Sequence, residues 1–292
     1  MEWVIAVIIS GLAVGAMYAM GTISLSMVWG SLGMLNMAHG ALLSLGAYAC
    51  YVAVTKFGFP WWTGFAPALL VGAVGGMILY GGIVRWIFAK PNFAINTVVA
   101  TIAAAALVQN LINVTLGAEA QLQPFSFDGS IRFGSVAVRI QPLIVLLAAF
   151  AMTLAISALL WGTKMGRAIR AVSQQREAAY LMGIPVTRVY LQIMIISGVV
   201  SAASGLLLTG LTTIYPTVGA IPTIKALIIC TLAGLGSLWG SVAIALAFGI
   251  FEVAVQYALG SRFGFSVTLT VAICLLVWRP YGLFGSARVG RI

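Results

Sequence analysis

The chain has 292 residues, 62% of them hydrophobic and 7% charged, and a net charge of +10 from 15 Lys and Arg against 5 Asp and Glu. A soluble domain carries about 25% charged residues, so this composition excludes a water-soluble globular protein. The positive excess marks loops that flank a bilayer rather than a nucleic-acid surface. One His and five scattered acids form no catalytic cluster, which argues against a membrane enzyme.

A bilayer span takes about 20 apolar residues. In chain order that criterion predicts helices over 3–29, 35–55, 62–84, 94–116, 142–162, 190–212, 223–236, 239–258 and 266–279. The expected fold class is an all-α polytopic membrane protein with about 8–9 transmembrane helices, at least one of them short or broken. The first run, opening MEWVIAVIISG, has no Lys or Arg before it and no clear cleavage site. It is expected to stay as the first helix.

Between the first two runs lies GSLGMLNMAHGALLSLGAY, residues 30–48, with the only histidine, His39. Read as a helix, 36–48 aligns Asn36, Gly40, Ser44 and Tyr48 at a spacing of four, a narrow polar and small stripe. Gly30 and Gly33 argue for a break before it. Backbone groups freed at such a break need partners in protein or in a water-lined cavity, and a positive helix end facing a cavity can hold a carboxylate. Two readings stand: Asn36 and His39 fix helix packing, or they line a translocation path.

Farther along, Pro60-Trp61-Trp62 reads as an interfacial anchor, as does Trp278. Gly72, Gly75, Gly76, Gly234, Gly236 and Gly240 allow close helix packing. Asn96, Thr97 and Thr101 share one spacing in the fourth run, and Gln109, Asn110 and Asn113 lie near its end. In the loop 117–141, Phe125, Phe127, Ile131 and Phe133 alternate with polar residues, which predicts a short strand or hairpin. The region 223–238 reads as a re-entrant half-helix or a tight hairpin. Glu252 is the only carboxylate well inside a run; pairing with Lys225 or Arg262 is the favoured reading over the path, because unpaired acids in lipid are costly. Cys50, Cys230 and Cys274 fit no metal or redox spacing and are expected to be free thiols.

Ten basic residues fall on one side if the runs alternate: Arg85, Lys90, Lys164, Arg167, Arg170, Arg176, Arg188, Arg279, Arg288 and Arg291. Lys56, Arg132, Arg139, Lys225 and Arg262 fall on the other. The larger set is expected to be cytoplasmic, with the C-terminus inside and, if every run crosses, the N-terminus outside.

The loop 163–189 carries a short helix signal over Gln174–Met182. Ser173 can cap its start, Gly183 can close it and Pro185 prevents continuation, while Glu177 suits the positive first turn. The helix would present Ala178, Ala179, Leu181 and Met182 for insertion into a groove on another protein. The alternative is an amphipathic helix lying on the bilayer, supported by Arg167, Arg170 and Arg176.

Glu177-Ala178-Ala179, three residues, then Gly183 resembles the EAA–x3–G pattern of ABC-importer permeases. GRAIRAVSQQREAAYLMGIPVTRV, LNMAHGALLSLGAY, LAGLGSLWGSVAIALAFGIFE and RPYGLFG resemble, in order, segments of branched-chain amino acid permeases of the LivH/LivM kind, a group that includes urea and amide permeases. The length and short N-terminus fit the LivH-like subunit. Met37 stands where that family often has Phe, and Gln175-Arg176 where it often has Asp-Pro.

The resemblance implies an ABC-importer permease fold, with 1–292 a single transmembrane permease domain, 117–141 an outer loop and 163–189 the cytoplasmic coupling loop. Glu177, Ala178, Ala179, Leu181, Met182 and Gly183 would then couple to the motor. Asn36, His39, Gly40, Ser44, Asn96 and Thr101 are the substrate-path candidates. The chain holds no G-x-x-x-x-G-K-[ST], so ATP and Mg would be used by partners: two ATP-binding cassette subunits. A second related permease (or a second copy) and a substrate-binding protein complete the implied machine. No cofactor, metal or nucleic acid is expected on this chain, and membrane lipid surrounds it. The implied cargo is a branched-chain or other hydrophobic amino acid, carried across a bacterial inner membrane. A urea or short-amide permease is the alternative, and an ion-coupled transporter, with only Glu252 and His39 as ionisable candidates, a further one.

Overall fold

The structure, a computed structural model, describes residues 2–88, 90–124, 129–133, 136–280 and 282–284. In chain order it contains α1 (Glu2–Leu32), α2 (His39–Thr55), a 3₁₀ turn (Trp61–Gly64), α3 (Phe65–Leu79), a π-helical stretch (Tyr80–Val84) and a single turn, α4 (Arg85–Ile87). Then come α5 (Phe93–Leu116), β1 (Ser130–Phe133), β2 (Val136–Arg139), α6 (Ile140–Gly162), α7 (Lys164–Gln174) and α8 (Arg176–Leu181). α9 (Val186–Thr209), α10 (Ala220–Ala233), α11 (Leu238–Leu259) and α12 (Phe263–Trp278) complete it.

Each apolar run of the sequence has become a helix. Among the described residues six helices are long and apolar enough to cross a membrane, and α2, α10 and α12 are shorter apolar helices. α10 has 14 residues, about 21 Å at 1.5 Å per residue, short of the roughly 30 Å hydrocarbon core. A tight turn joins it to α11. Gly234 and Gly236 adopt φ of 94° and 92° there, so they serve the turn, and Gly236 also lies close against Gly30 of α1, the close approach expected of it.

α1 and α9 lie at the centre, with most of their surfaces buried, whereas α5 exposes Val99, Leu107, Leu111 and Val114. A helix apolar on all sides needs no inward stripe; its outer face suits lipid. α1 packs along α11, and α9 packs along α3 and α2. Backbone contact sets these approaches: a Cβ on Gly249 would collide with Gly15, and one on Gly72 with Gly198. In lipid, where helices gain little from burying apolar surface against each other, such contact gives the packing energy.

β1 and β2 form an antiparallel hairpin, Ser130 opposite Arg139 and Phe133 opposite Val136. It holds Ile131 and Phe133 of the expected strand; Phe125 and Phe127 lie outside the described residues. The Gln121 backbone pairs with Ile214, and Gln123 Nε2 donates to the Ala47 carbonyl and to Thr209 Oγ1, at 3.2 and 2.7 Å. These bonds pin the start of the 117–141 loop to α2 and the end of α9.

The Arg279–Phe284 segment turns back. Leu283 N–H donates to the Leu232 carbonyl at 2.7 Å, and Phe284 N–H to the Ala233 carbonyl at 3.2 Å. It thereby satisfies carbonyls that the end of α10 leaves without helical partners. Two of the family-like segments, distant in sequence, thus meet. Arg288 and Arg291 lie outside the described residues.

Candidate functional site

α1 ends at Leu32, Gly33 reverses the chain with φ of 67°, and α2 starts only at His39. The expected break is therefore at Gly33. Gly30 remains inside α1. Asn36 lies outside the helix, which corrects the expected 36–48 stripe. Its side-chain Oδ1 accepts the Ala38 N–H at 3.1 Å and its carbonyl faces the His39 N–H at 3.4 Å. The short polar side chain competes with the helix for the same backbone groups and delays its start. The Met37 N–H donates to Thr101 Oγ1 at 3.1 Å.

His39 ties α1, α2 and α9 together. Its Nδ1 is 2.6 Å from Ser201 Oγ and 3.4 Å from Ser24 Oγ, and Ser24 Oγ is 2.7 Å from Ser197 Oγ. Gly40 packs directly on Gly219, whose N–H donates to Ser44 Oγ at 3.2 Å. Asn36, His39 and Ser44 are each 1% exposed or less. The result is a closed, largely satisfied polar seam between helices. Two atoms in it, Asn36 Nδ2 and His39 Nε2, have no hydrogen-bond partner among the described residues. A buried unmatched polar group costs about 1–3 kcal/mol. Asn36 Nδ2, which can only donate, would gain from an arriving carboxylate or carbonyl oxygen. Ser201 Oγ already donates to the Ser197 carbonyl, so His39 Nδ1 is the donor toward Ser201 and Nε2 is left as an acceptor.

Of the path candidates, the structure brings Asn36, His39, Gly40, Ser44 and Thr101 to this junction. Asn96 is separate: it is exposed, and its Nδ2 donates to the Pro91 carbonyl at 2.9 Å at the start of its own helix. Sequence reasoning missed Ser24, Ser197 and Ser201. The usable signal was the Ser197–Ser201 spacing of four, one face of α9.

Glu252 pairs as favoured. Its Oε1 is 2.6 Å from Lys225 Nζ, its Oε2 accepts from Tyr18 Oη at 3.0 Å, and Gln256 Nε2 lies 3.3 Å from Oε1. Lys225 Nζ also donates to Tyr18 Oη at 2.6 Å. Lys225 therefore sits buried inside α10 and not among the loop cations where its charge had placed it. The network binds α1, α10 and α11.

The loop 163–189 is two helices, not one. α7 continues through Ser173, whose Oγ donates to the Ile169 carbonyl and meets Ser31 Oγ at 2.8 Å. Gln175, extended at φ −153° and ψ 102°, separates it from α8, so Ser173 is not the cap expected. Gly183, with φ of 80°, closes α8. The Ile184 N–H donates to the Ala179 carbonyl and the Gly183 N–H to the Tyr180 carbonyl, both at 3.0 Å. This pair of bonds is a Schellman closure. Glu177 is exposed in the first turn. Ala178 is half-buried, and Leu181 and Met182 are each 83% exposed. Ala179, expected to face outward, is 4% exposed and packs into the core. A small side chain there lets the helix sit close on its support. The presented surface is thus Tyr180, Leu181 and Met182.

A family model described as the permease component of branched-chain amino acid transport systems matches residues 7–278. The permease LivH of Escherichia coli (strain K12), from a high-affinity branched-chain amino acid transport system, is 27% identical over 295 residues, covering 97% of this chain and 96% of that protein. BraD of Pseudomonas aeruginosa, similarly described, is 24% identical over 299 residues, covering 98% and 97%. Among solved structures, PsaBC from Streptococcus pneumoniae in complex with Fab superposes with a TM-score of 0.51 at 16% identity, covering 96% of this chain and 91% of that one; the likeness speaks for the fold. The family is one of transport permeases and not of enzymes. The match spans nearly every described helix, and the chain belongs to the family of permease components of branched-chain amino acid transport systems.

Proposed function

We propose that this chain is the permease subunit of an ATP-driven importer. It carries branched-chain or other hydrophobic amino acids, handed over by a binding protein, across a bacterial inner membrane. The observation that carries this reading is the family match over residues 7–278, joined to an intact, exposed α8. In this reading two ATPase subunits grip Tyr180, Leu181 and Met182 from the cytoplasm, and a second permease, related or identical, completes the pore. The C-terminus is cytoplasmic and the N-terminus faces outward.

The fold offers a route for the force. α8 leads through Pro185 into α9, a single helix from Val186 to Thr209. α9 carries Ser197 and Ser201 into the seam around His39. Movement of α8 would therefore shift α9 against α2 and open the seam. Asn36 Nδ2 and the first turn of α2 would then meet the carboxylate of the amino acid, and apolar walls its side chain.

The test is reconstitution of the chain with its ATPase subunits and binding protein in vesicles. Uptake of leucine, isoleucine or valine should require ATP, and Asn36→Leu should lower it about tenfold or more while the complex still assembles, as expected for the loss of one hydrogen bond to a charged group. Uptake by the chain alone under an ion gradient, or uptake of urea or amides only, would overturn the proposal.

A further inference from the structure

A cleft of about 840 Å³ separates α8 from the π-helical stretch and α4, with the first turn of α9 as its floor. Its chemistry is uneven. Arg85 and Arg176 line it, against one carboxylate, Glu177. Neither arginine has a hydrogen-bonded or ionic partner among the described residues. The Arg176 guanidinium sits over the Phe88 ring, its Cζ 4.2 Å from the centroid, and Phe88 is itself held against Tyr190 at 5.2 Å. A stacked guanidinium keeps its N–H edge free for a bidentate oxyanion such as phosphate. Tyr180 and Tyr190 also line the cleft.

Depth decides which anion. The cleft lies where the apolar helix Trp62–Ile87 ends and Val186–Thr209 begins. Trp86 is 70% exposed beside it, as expected of an aromatic at headgroup level. Arg188 extends the positive charge along the same turn of α9. A soluble phosphate compound would have no need of this depth.

We propose that the cleft seats the headgroup of an acidic phospholipid, its phosphate held by Arg85 and Arg176. The bound lipid would wedge α8 at a fixed distance from the end of α3. This rests on reading that end of the molecule as cytoplasmic, where an acidic leaflet attracts clustered Arg and Lys.

The test uses the assembled importer, purified in detergent, and native mass spectrometry of retained lipid. Short-chain phosphatidylglycerol, phosphatidylcholine and phosphatidylethanolamine are added in turn, with inorganic phosphate as a competitor. The expected result is preferential retention of phosphatidylglycerol, weakened about fivefold by Arg85→Gln and again by Arg176→Gln. Arg85→Lys should recover most of it, Arg176→Lys, which keeps the charge but loses the stacked fork, only part, and Arg262→Gln, at the start of α12, should change nothing. Equal retention of the three lipids, full competition by phosphate, or unchanged retention in both glutamine variants would overturn the proposal. So would retention by the isolated chain that is lost on ATPase binding, because the motor would then fill the cleft. Retention is read independently of uptake, so it can fail while ATP-driven transport stands.

Discussion

Lys225 and Glu252 are an ion pair whose two side chains are buried among α1, α10 and α11. Their exposures are 8% and 3%, and Tyr18 and Gln256 complete the hydrogen bonding. Removing one member of such a pair leaves an uncompensated charge and typically costs about 3–5 kcal/mol, whereas replacing both with apolar groups is often close to neutral. Glu252→Leu or Lys225→Met alone should therefore lower the thermal midpoint of the purified complex sharply, and the double variant should recover most of the loss. Single variants as stable as the parent would show that the pair does not hold α10 to α11. The same pair explains a misplacement in the sequence reading. A lysine at the margin of an apolar run looks like a loop cation, because the partner that makes its burial tolerable lies 27 residues away.

At the scale of the element, α8 shows what a short helix needs to stay formed. It has six residues, far too few to be stable alone, so its shape comes from Ala179 packed inward and from the Gly183 closure. Positive φ is open to Gly, tolerated by Asn, and strained for Ala and more so for β-branched residues. We expect ATP-driven uptake to fall in the order Gly183, Gly183→Asn, Gly183→Ala, Gly183→Val, with the valine variant losing about tenfold if the strain of roughly 1–2 kcal/mol is felt in docking. Equal activity across the series would mean that the α8 ending is not used. The closing glycine and following proline were legible in sequence, since each acts through its own backbone. The start of the helix was not: KMGRAIRAVSQ is good helix material and carries α7 past Ser173 to Gln174. The outward face was not legible either, because alanine fits both a socket and a surface. The π-helical stretch over Tyr80–Val84 had only Gly81-Gly82 to announce it.

Across the whole molecule, the apolar runs became the long helices and the three shorter apolar helices of the described residues, because a backbone placed in lipid has little choice but to satisfy itself within a helix. The polar seam was half visible. Asn36, His39 and Ser44 stand out against hydrocarbon, but Ser24, Ser197 and Ser201 look like any small residue that lets helices approach, and only the packing of α1 and α9 around α2 reveals their partners. One continuous helix, α9, links α8 to the closed seam at His39, so the proposed function requires α8 to be the point where the motor would pull. The most direct measurement places a single cysteine at Met182 in a chain whose Cys50, Cys230 and Cys274 are replaced by alanine, after uptake is shown to persist. The account predicts that Met182→Cys resists a membrane-impermeant thiol reagent added to intact cells and crosslinks to an ATPase subunit that copurifies with the chain. Labelling from outside, or the absence of any crosslinked ATPase in an active complex, would contradict it.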